Sequence, residues 1–282
     1  MDASQSPLDL DAYFARIGFD RPPDPAIGTL RELHRLHAEA IPFENLSPFL
    51  GEPVRLDPAS LQEKLVRRRR GGWCFEQNLL FAGVLEAIGF PVKRLAARVR
   101  WNVPPGVVTA RSHMLMLVTV GSEPWIADVG FGGQSLTAPL RLEAMVEQPT
   151  PHETCRLVPE GERFVLEAKV AGSWSALYAF DLHEQQQADY EVSNWYLANH
   201  PQSQFVTGIV AARASPDRRH ALRNARYAVH HRDGRTERRS IASVAEFRDV
   251  LSGDLRIPLP DARELDARLE RLLREGAGVS GG

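Results

Sequence analysis

The first 90 residues of the chain carry apolar side chains at the three- and four-residue spacing of amphipathic helices. Two such stripes precede residue 41: Leu10, Tyr13, Phe14 and Ile17, then Leu30, Leu33, Leu36 and Ala40. A third helix is predicted over residues 58–70, and a fourth begins near Cys74 and ends at Gly89, a common type of C-cap. The pattern therefore predicts a helical domain over residues 1–90.

From residue 91 the pattern changes to short segments rich in β-branched and aromatic residues, which are typical of strands. The predicted strands cover residues 92–101, 113–120, 124–131, 163–170 and 174–181. Short turns such as Gly121-Ser122 separate them. This spacing predicts an antiparallel sheet or small barrel, and we assign residues 91–200 to it.

After residue 200 the pattern is mixed. Asp233-Gly234 lies between two strand-like segments, residues 226–231 and 236–241, and predicts a β-hairpin. Helices are predicted over residues 244–251 and 262–274. We assign residues 201–275 to an α/β unit and the glycine-rich residues 276–282 to a disordered tail.

Composition and charge exclude several classes of protein. The chain has 282 residues, of which 43% are hydrophobic and 25% charged, as in an ordinary globular protein. A net charge of -2 does not favour a nucleic-acid partner. We find no signal-peptide pattern and no apolar run of transmembrane length, so we expect a cytoplasmic protein without a membrane partner.

The chain has two cysteines, Cys74 and Cys155. Two cysteines exclude a disulfide framework and a four-cysteine zinc site, and we expect no metal centre. A single disulfide between them stays open, although it would consume the candidate nucleophile described next.

The segment Arg70-Gly-Gly-Trp-Cys-Phe-Glu-Gln-Asn78 places Cys74 after a two-glycine turn, in the first turn of a predicted helix. The positive end of the helix dipole stabilises a thiolate, which is the nucleophilic form of cysteine. A lone cysteine is nevertheless more often a small buried hydrophobic residue. Nucleophilic chemistry requires a base and a group that orients the base.

His113 and Asp128 are the candidates for those two groups. If Gly121-Ser122 is a two-residue hairpin loop, Asp128 lies on the same face of the sheet as His113, diagonal to it. A three-residue loop would place Asp128 on the other face. A carboxylate inside an apolar strand is costly unless it is paired, which favours the first arrangement. The following Gly130-Phe-Gly-Gly133 allows a close backbone approach to a ligand.

Four blocks in this order resemble the arylamine N-acetyltransferase family. They are Ile41-Pro-Phe-Glu-Asn-Leu46, residues 70–78, His113 with Asp128-Val-Gly-Phe-Gly-Gly133, and Asn194-Trp-Tyr196 with His200-Pro-Gln-Ser-Gln-Phe205. Trp73 stands where the family often has tyrosine, and Ala198 and Asn199 replace small hydroxyl residues. The blocks cover residues 41–205, and the last 75 or so residues match only loosely.

The resemblance implies an α+β fold: an N-terminal helical domain with the cysteine, a central antiparallel β-barrel and a C-terminal α/β lid. It implies a papain-like triad in which Cys74 is the nucleophile, His113 the base and Asp128 its orienter. The co-substrate would be acetyl-CoA, with no permanently bound cofactor, and the acceptor a small aromatic amine or hydrazine. The oligomeric state stays open.

The same resemblance suggests further site residues. The acceptor pocket would be lined by Phe43, Phe131 and Phe205. Coenzyme A would lie near Trp101, Ser112, Gly132 and Phe205. We interpret Glu44 and Arg70 as an ion pair that supports the glycine turn. We interpret residues 67–70, four arginines, as a solvated helix face rather than a phosphate site.

The predicted reaction is a ping-pong acetyl transfer through an acetyl-cysteine. One alternative is an amide synthase of the same fold that closes a macrolactam on a polyketide chain. A second is a hydrolase or transglutaminase with a papain-like triad. A third is a binding protein in which Cys74 is merely buried.

Overall fold

The N-terminal part of the protein is helical, as the apolar stripes predict. The computed structural model describes residues 8–104, 106–260 and 263–278. The helices before residue 90 are α1 (Leu10–Ile17), α2 (Ile27–Ala40), α3 (Leu46–Phe49), α4 (Pro58–Leu61) and α5 (Cys74–Ile88). A π-helical segment, Gln62–Arg67, continues α4, and a short strand β1 (Phe43–Glu44) precedes α3.

Helix α5 is the centre of the first hydrophobic core. It begins at Cys74, where the Glu76 carboxylate accepts a hydrogen bond from the Trp73 backbone N–H at 3.1 Å. It ends at Gly89, whose left-handed φ of 103° closes the last turn. Its side chains are buried on almost every face, so tertiary packing rather than solvent defines its position. The helix is therefore a rigid support for Cys74.

Eight antiparallel strands form the largest sheet, in the order β5-β4-β3-β2-β9-β8-β7-β6. They are β2 (Val92–Val99), β3 (Arg111–Val120), β4 (Glu123–Ala127), β5 (Leu140–Arg141), β6 (Gln148–Pro149), β7 (Thr154–Glu160), β8 (Arg163–Val170) and β9 (Ser173–Phe180). Arg141 and Gln148 exchange hydrogen bonds of 2.8 and 2.9 Å across the two ends of the sheet. These contacts make the sheet a nearly closed barrel.

A second sheet has five strands in the order β1-β10-β11-β12-β13. Its later strands are β10 (Val210–Ser215), β11 (Arg218–Arg223), β12 (Arg226–His231) and β13 (Thr236–Ser240). The hairpin predicted at Asp233-Gly234 joins β12 to β13 and is confirmed. Because β1 pairs with β10, the second sheet is anchored in the N-terminal part of the chain.

Four helices complete the fold: α6 (Gln187–Asn199), α7 (Gln204–Thr207), α8 (Val244–Asp249) and α9 (Arg263–Gly278). The last of these helices extends to Gly278, three residues into the segment predicted to be a disordered tail. The tail itself stays a prediction. Residues 279–282 lie outside the described residues. The domain limits at residues 90, 200 and 275 stay predictions.

Both cysteines are free and buried. The structure therefore excludes the disulfide between them that the sequence left undecided. Burial raises the pKa of the Cys155 thiol to about 12, with a smaller contribution from Glu153. Cys155 is therefore an inert core residue. None of the described helices has the length and hydropathy needed to cross a bilayer.

Candidate active site

Cys74 lies at the wall of a cleft of about 1000 Å³ between α5, the barrel and the five-stranded sheet. Its side chain is mostly buried, at 7% exposure of the residue, and its Sγ lies 3.7 Å from the backbone oxygen of Ser112. As the first residue of α5, Cys74 has a backbone N–H without a partner inside the helix. The thiol and an amide donor that has no partner among the described residues thus lie together at the cleft.

The glycine turn before Cys74 is required by a close backbone approach. Gly72 pairs with Phe43, and its N–H donates to the Pro42 oxygen at 3.2 Å. A Cβ added at Gly71 would lie 2.1 Å from that same oxygen, where no side chain fits. A Cβ at Gly130 would lie 2.7 Å from Cα of Cys74. Both glycines therefore allow neighbouring segments to lie directly against the start of α5.

The β3–β4 register brings His113 and Asp128 together. Val120 pairs with Glu123, which confirms the two-residue loop, and the ladder ends at the pair Met116–Ala127. Asp128 follows immediately, and its Oδ2 lies 2.7 Å from Nε2 of His113. Both residues are almost fully buried. The structure thus forms the contact on which the predicted triad depends.

The electrostatics of this pair favour an imidazolium. Burial alone disfavours the charged ring, but the Asp128 carboxylate and hydrogen bonds with Asp128 and Cys74 outweigh it and raise the pKa of His113 to about 10. Burial opposes ionisation of Asp128 as well, yet the charge and hydrogen bonds of His113 hold the pKa of Asp128 below its usual value. Because Nε2 contacts Asp128, Nδ1 is the nitrogen available to the thiol.

Asn78 is a residue of the site whose role the sequence did not reveal. It lies one turn after Cys74 on α5 and is fully buried. Its Nδ2 donates to Oδ1 of Asp128 at 2.9 Å and to the Met114 oxygen at 2.7 Å. Its Oδ1 accepts from the Val129 N–H at 3.0 Å. Asn78 therefore ties the cysteine helix, the histidine strand and the aspartate loop together.

A signal for Asn78 was present in the sequence. An amide inside an apolar helix requires buried partners, and a spacing of four residues places it on the same face as Cys74. The sequence does not indicate which distant groups form hydrogen bonds with the Asn78 amide.

The other predicted site residues also line the cleft. These residues are Phe43, Trp101, Ser112, Phe131, Gly132 and Phe205. The Phe205 ring centroid is 5.3 Å from that of Trp73 and 6.3 Å from that of Phe43. Phe131 lies edge-on to His113 at 4.8 Å. Their individual contacts with substrates stay predictions.

Trp73 is joined to the later sequence block through Asn194. Its indole N–H donates to Oδ1 of Asn194 at 3.1 Å, and the Asn194 amide donates to the Val54 oxygen at 2.9 Å. Trp73 thus connects α6 to the start of α5.

The predicted contact between Glu44 and Arg70 is confirmed. Nε of Arg70 donates to Oε1 of Glu44 at 2.8 Å, and the other Glu44 oxygen accepts from the Leu46 N–H at 2.6 Å. The interpretation of residues 67–70 as one solvated helix face is confirmed only in part, because residues 67–69 are exposed but Arg70 is half-buried. The helix ends at Arg67, and Arg69 takes a left-handed φ of 55° that turns Arg70 inward.

Comparison with known proteins gives consistent matches over most of the chain. A family model described as N-acetyltransferase matches residues 26–264. The arylamine N-acetyltransferase of Mycobacterium tuberculosis is 44% identical over 279 residues, which cover 96% of this chain and 98% of that protein.

Solved structures agree with these sequence matches. The Mycobacterium smegmatis arylamine N-acetyltransferase matches with a TM-score of 0.90 and 42% identity, covering 94% of this chain and 99% of that one. The Mycobacterium marinum arylamine N-acetyltransferase in complex with CoA also matches with a TM-score of 0.90, at 40% identity and the same coverage.

Proposed function

The chain belongs to the arylamine N-acetyltransferase family, and from that premise we propose that it transfers an acetyl group from acetyl-CoA to the nitrogen of arylamines or hydrazines through an acetyl-cysteine on Cys74. One observation carries the proposal. A cysteine at a helix N-terminus lies beside a buried histidine–aspartate pair, inside a cleft large enough for two substrates in turn.

The first half-reaction uses the thiolate and the imidazolium. The Cys74 sulfur attacks the thioester carbonyl of acetyl-CoA, and the backbone N–H of Cys74 is placed to donate to the developing oxyanion. The tetrahedral adduct collapses, the bond to the coenzyme sulfur breaks, and His113 gives its Nδ1 proton to the departing thiolate. Coenzyme A leaves as a free thiol, and the acetyl group stays on Cys74.

The second half-reaction reverses these roles. The amine nitrogen attacks the acetyl-cysteine carbonyl while neutral His113 accepts the amine proton. Collapse of this adduct breaks the bond to Cys74 and restores the thiolate–imidazolium pair. Aromatic amines are neutral near pH 7, so their lone pair is available, and the phenylalanines of the cleft provide apolar surface for the ring.

The shape of the cleft supports an extended co-substrate. One row of paired residues crosses the five-stranded sheet and lines the cleft: Phe43, Ala212, Ala221, Ala228 and Arg238. Adjacent strands are about 4.8 Å apart, so the row covers roughly 19 Å from the aromatic end to Arg238. Three alanines in succession leave a shallow apolar floor, which suits the thin pantetheine arm of coenzyme A.

The far end of the row is positively charged. Arg226 and Arg238 lie on the same face of the sheet, line the cleft and are exposed. In the described part of the chain, neither arginine forms a salt bridge with a carboxylate. Arg239, in contrast, binds Glu246. Guanidinium groups without a partner suit the phosphates of the nucleotide end of coenzyme A.

We expect the double variant R226Q/R238Q to raise KM for acetyl-CoA about tenfold with little change in kcat, because each lost charge-assisted hydrogen bond weakens binding of the phosphates. With the acetyl thioester of N-acetylcysteamine, which lacks the nucleotide, variant and wild type should have equal rates. R218Q is the matched control, since Arg218 belongs to the same sheet and pairs with Asp217 outside the cleft. An equal rise of KM in R218Q and in the double variant would contradict the assignment of Arg226 and Arg238 to the phosphates.

Steady-state kinetics test the proposed reaction. Initial rates of thiol release, measured with acetyl-CoA and an arylamine varied together, should give the parallel double-reciprocal lines of a ping-pong mechanism. Intersecting lines would exclude a covalent intermediate as the main route. Sustained release of acetate without an amine would favour the hydrolase alternative.

A further inference from the structure

Three consecutive backbone N–H groups beyond the end of β4 are each bound by a side chain. The Asp128 N–H donates to Nε2 of His34 at 3.1 Å. The Val129 N–H donates to Asn78 at 3.0 Å, and the Gly130 N–H donates to the Asp128 carboxylate at 2.9 Å. The segment has left the sheet ladder, so these contacts, rather than strand pairing, define the position of Asp128.

His34 binds the Asp128 backbone from a helix other than α5. It belongs to α2, is fully buried and is separated from Asp128 by 94 positions in the sequence. Its Nε2 accepts a hydrogen bond, so the ring proton lies on Nδ1. That Nδ1 has no partner among the described residues.

Burial keeps the His34 ring neutral. It lowers the pKa of His34 to about 4, although the nearby Asp128 carboxylate acts in the opposite direction. The groups that face His34 are Asp128 from the loop, His37 from its own helix and the apolar ring of Phe81 from α5. A neutral ring preserves the acceptor lone pair on Nε2 across the physiological pH range.

We propose that His34 is a positioning residue that holds Asp128 at hydrogen-bonding distance from His113 and thereby sustains the reactive thiolate of Cys74. The inference rests on the proposed function, because it assumes that the Cys74–His113–Asp128 arrangement carries the chemistry. Without an acceptor at position 34, a fully buried N–H loses its partner, and the Asp128 segment is free to shift. A shifted carboxylate stabilises the imidazolium less, so the neutral thiol–imidazole pair gains population.

His37 provides a matched control. It lies three residues further along α2, is equally buried and also packs edge-on against Phe81. Its Nδ1 contacts the hydroxyl group of Tyr13 at 2.8 Å and makes no contact with the proposed triad. Replacing either histidine with leucine removes one buried hydrogen bond of similar type, but only His34 binds Asp128.

The test compares H34L, H37L and H34Q. Urea unfolding measures stability, and the pH dependence of Cys74 alkylation by iodoacetamide measures the thiolate without using acetyl-CoA. The groups that face His113 in this titration are Cys74, Asp128 and Tyr178. We expect similar destabilisation of H34L and H37L, but slower alkylation in H34L alone, by about tenfold at pH values below the wild-type midpoint. The pH of half-maximal alkylation should rise by about one unit in the same variant.

Rescue by glutamine distinguishes positioning from packing. The side-chain oxygen of glutamine reaches about as far as Nε2 of histidine, so H34Q should restore alkylation to within about threefold of wild type. If H34L does not fold, H34N takes its place, since its shorter amide cannot reach the Asp128 N–H. Equal alkylation in the H34 and H37 variants, or no rescue by H34Q, would overturn the inference. If wild-type Cys74 is alkylated as expected but the protein transfers no acetyl group, that result would instead contradict the proposed function.

Discussion

Wild-type protein incubated with acetyl-CoA alone should gain the mass of one acetyl group, and the C74A variant should gain none. The adduct is the acetyl-cysteine of the first half-reaction, which accumulates because no amine is present to remove it. Alanine removes the nucleophile while leaving the start of α5 intact. Intact-protein mass spectrometry measures the adduct, and turnover of C74A should fall by at least about a thousandfold.

C155A is the control for this experiment. Cys155 is the second free thiol, but burial raises its pKa to about 12, so it supplies almost no thiolate at neutral pH. C155A should therefore gain the acetyl group as wild type does. An adduct that persists in C74A, or one absent from wild type, would contradict Cys74 as the nucleophile.

The second large effect is expected from R70M. Glu44 is almost completely buried, and Arg70 is its ion-pair partner at 2.8 Å. Methionine leaves that carboxylate buried without a counter-charge, which costs about 3–5 kcal/mol of the free energy of unfolding. A domain is typically stable by about 5–15 kcal/mol, so much of the protein should be insoluble or unfolded. Urea unfolding, followed by circular dichroism, measures the loss.

Two further variants isolate the contribution of the ion pair. In E44Q/R70M the carboxylate is absent, so part of the lost stability should return. R68M is the surface control, because the Arg68 side chain is 71% exposed and its ion pair with Glu63 lies in solvent. A soluble R70M variant with wild-type stability and no activity would show that Arg70 acts in catalysis rather than in support of the turn.

Local sequence patterns are sufficient to predict the elements that carry the reacting groups. The helix that begins at Cys74 follows from its apolar spacing and Gly89, and the structure confirms both. The two-residue turn Gly121-Ser122 specifies the β3–β4 register, which the structure also confirms. In each case the deciding information lies within about fifteen neighbouring residues.

Helix α6 shows why the sequence pattern does not predict some of the other elements. Its buried residues are Tyr190, Asn194 and Ala198, one large, one polar and one small, so no apolar stripe marks the buried face. On its outer face Val192 and Trp195 are exposed, which reverses the usual pattern. The contacts of Asn194 with Trp73 and Val54 stabilise this helix, and both partners are more than a hundred positions away.

The sequence by itself determined the nucleophile, the base and the orienting carboxylate as candidates, together with the helix and hairpin that present them. These features depend on residue type and on short-range spacing, which the chain displays directly. Only the tertiary structure decided what holds those groups in place. His34 and Asn78 bind the Asp128 segment from two helices, and Gly71 lies against Pro42. Such contacts depend on how distant segments pack, and a buried polar group gives no sign of its partner until the core around it is complete.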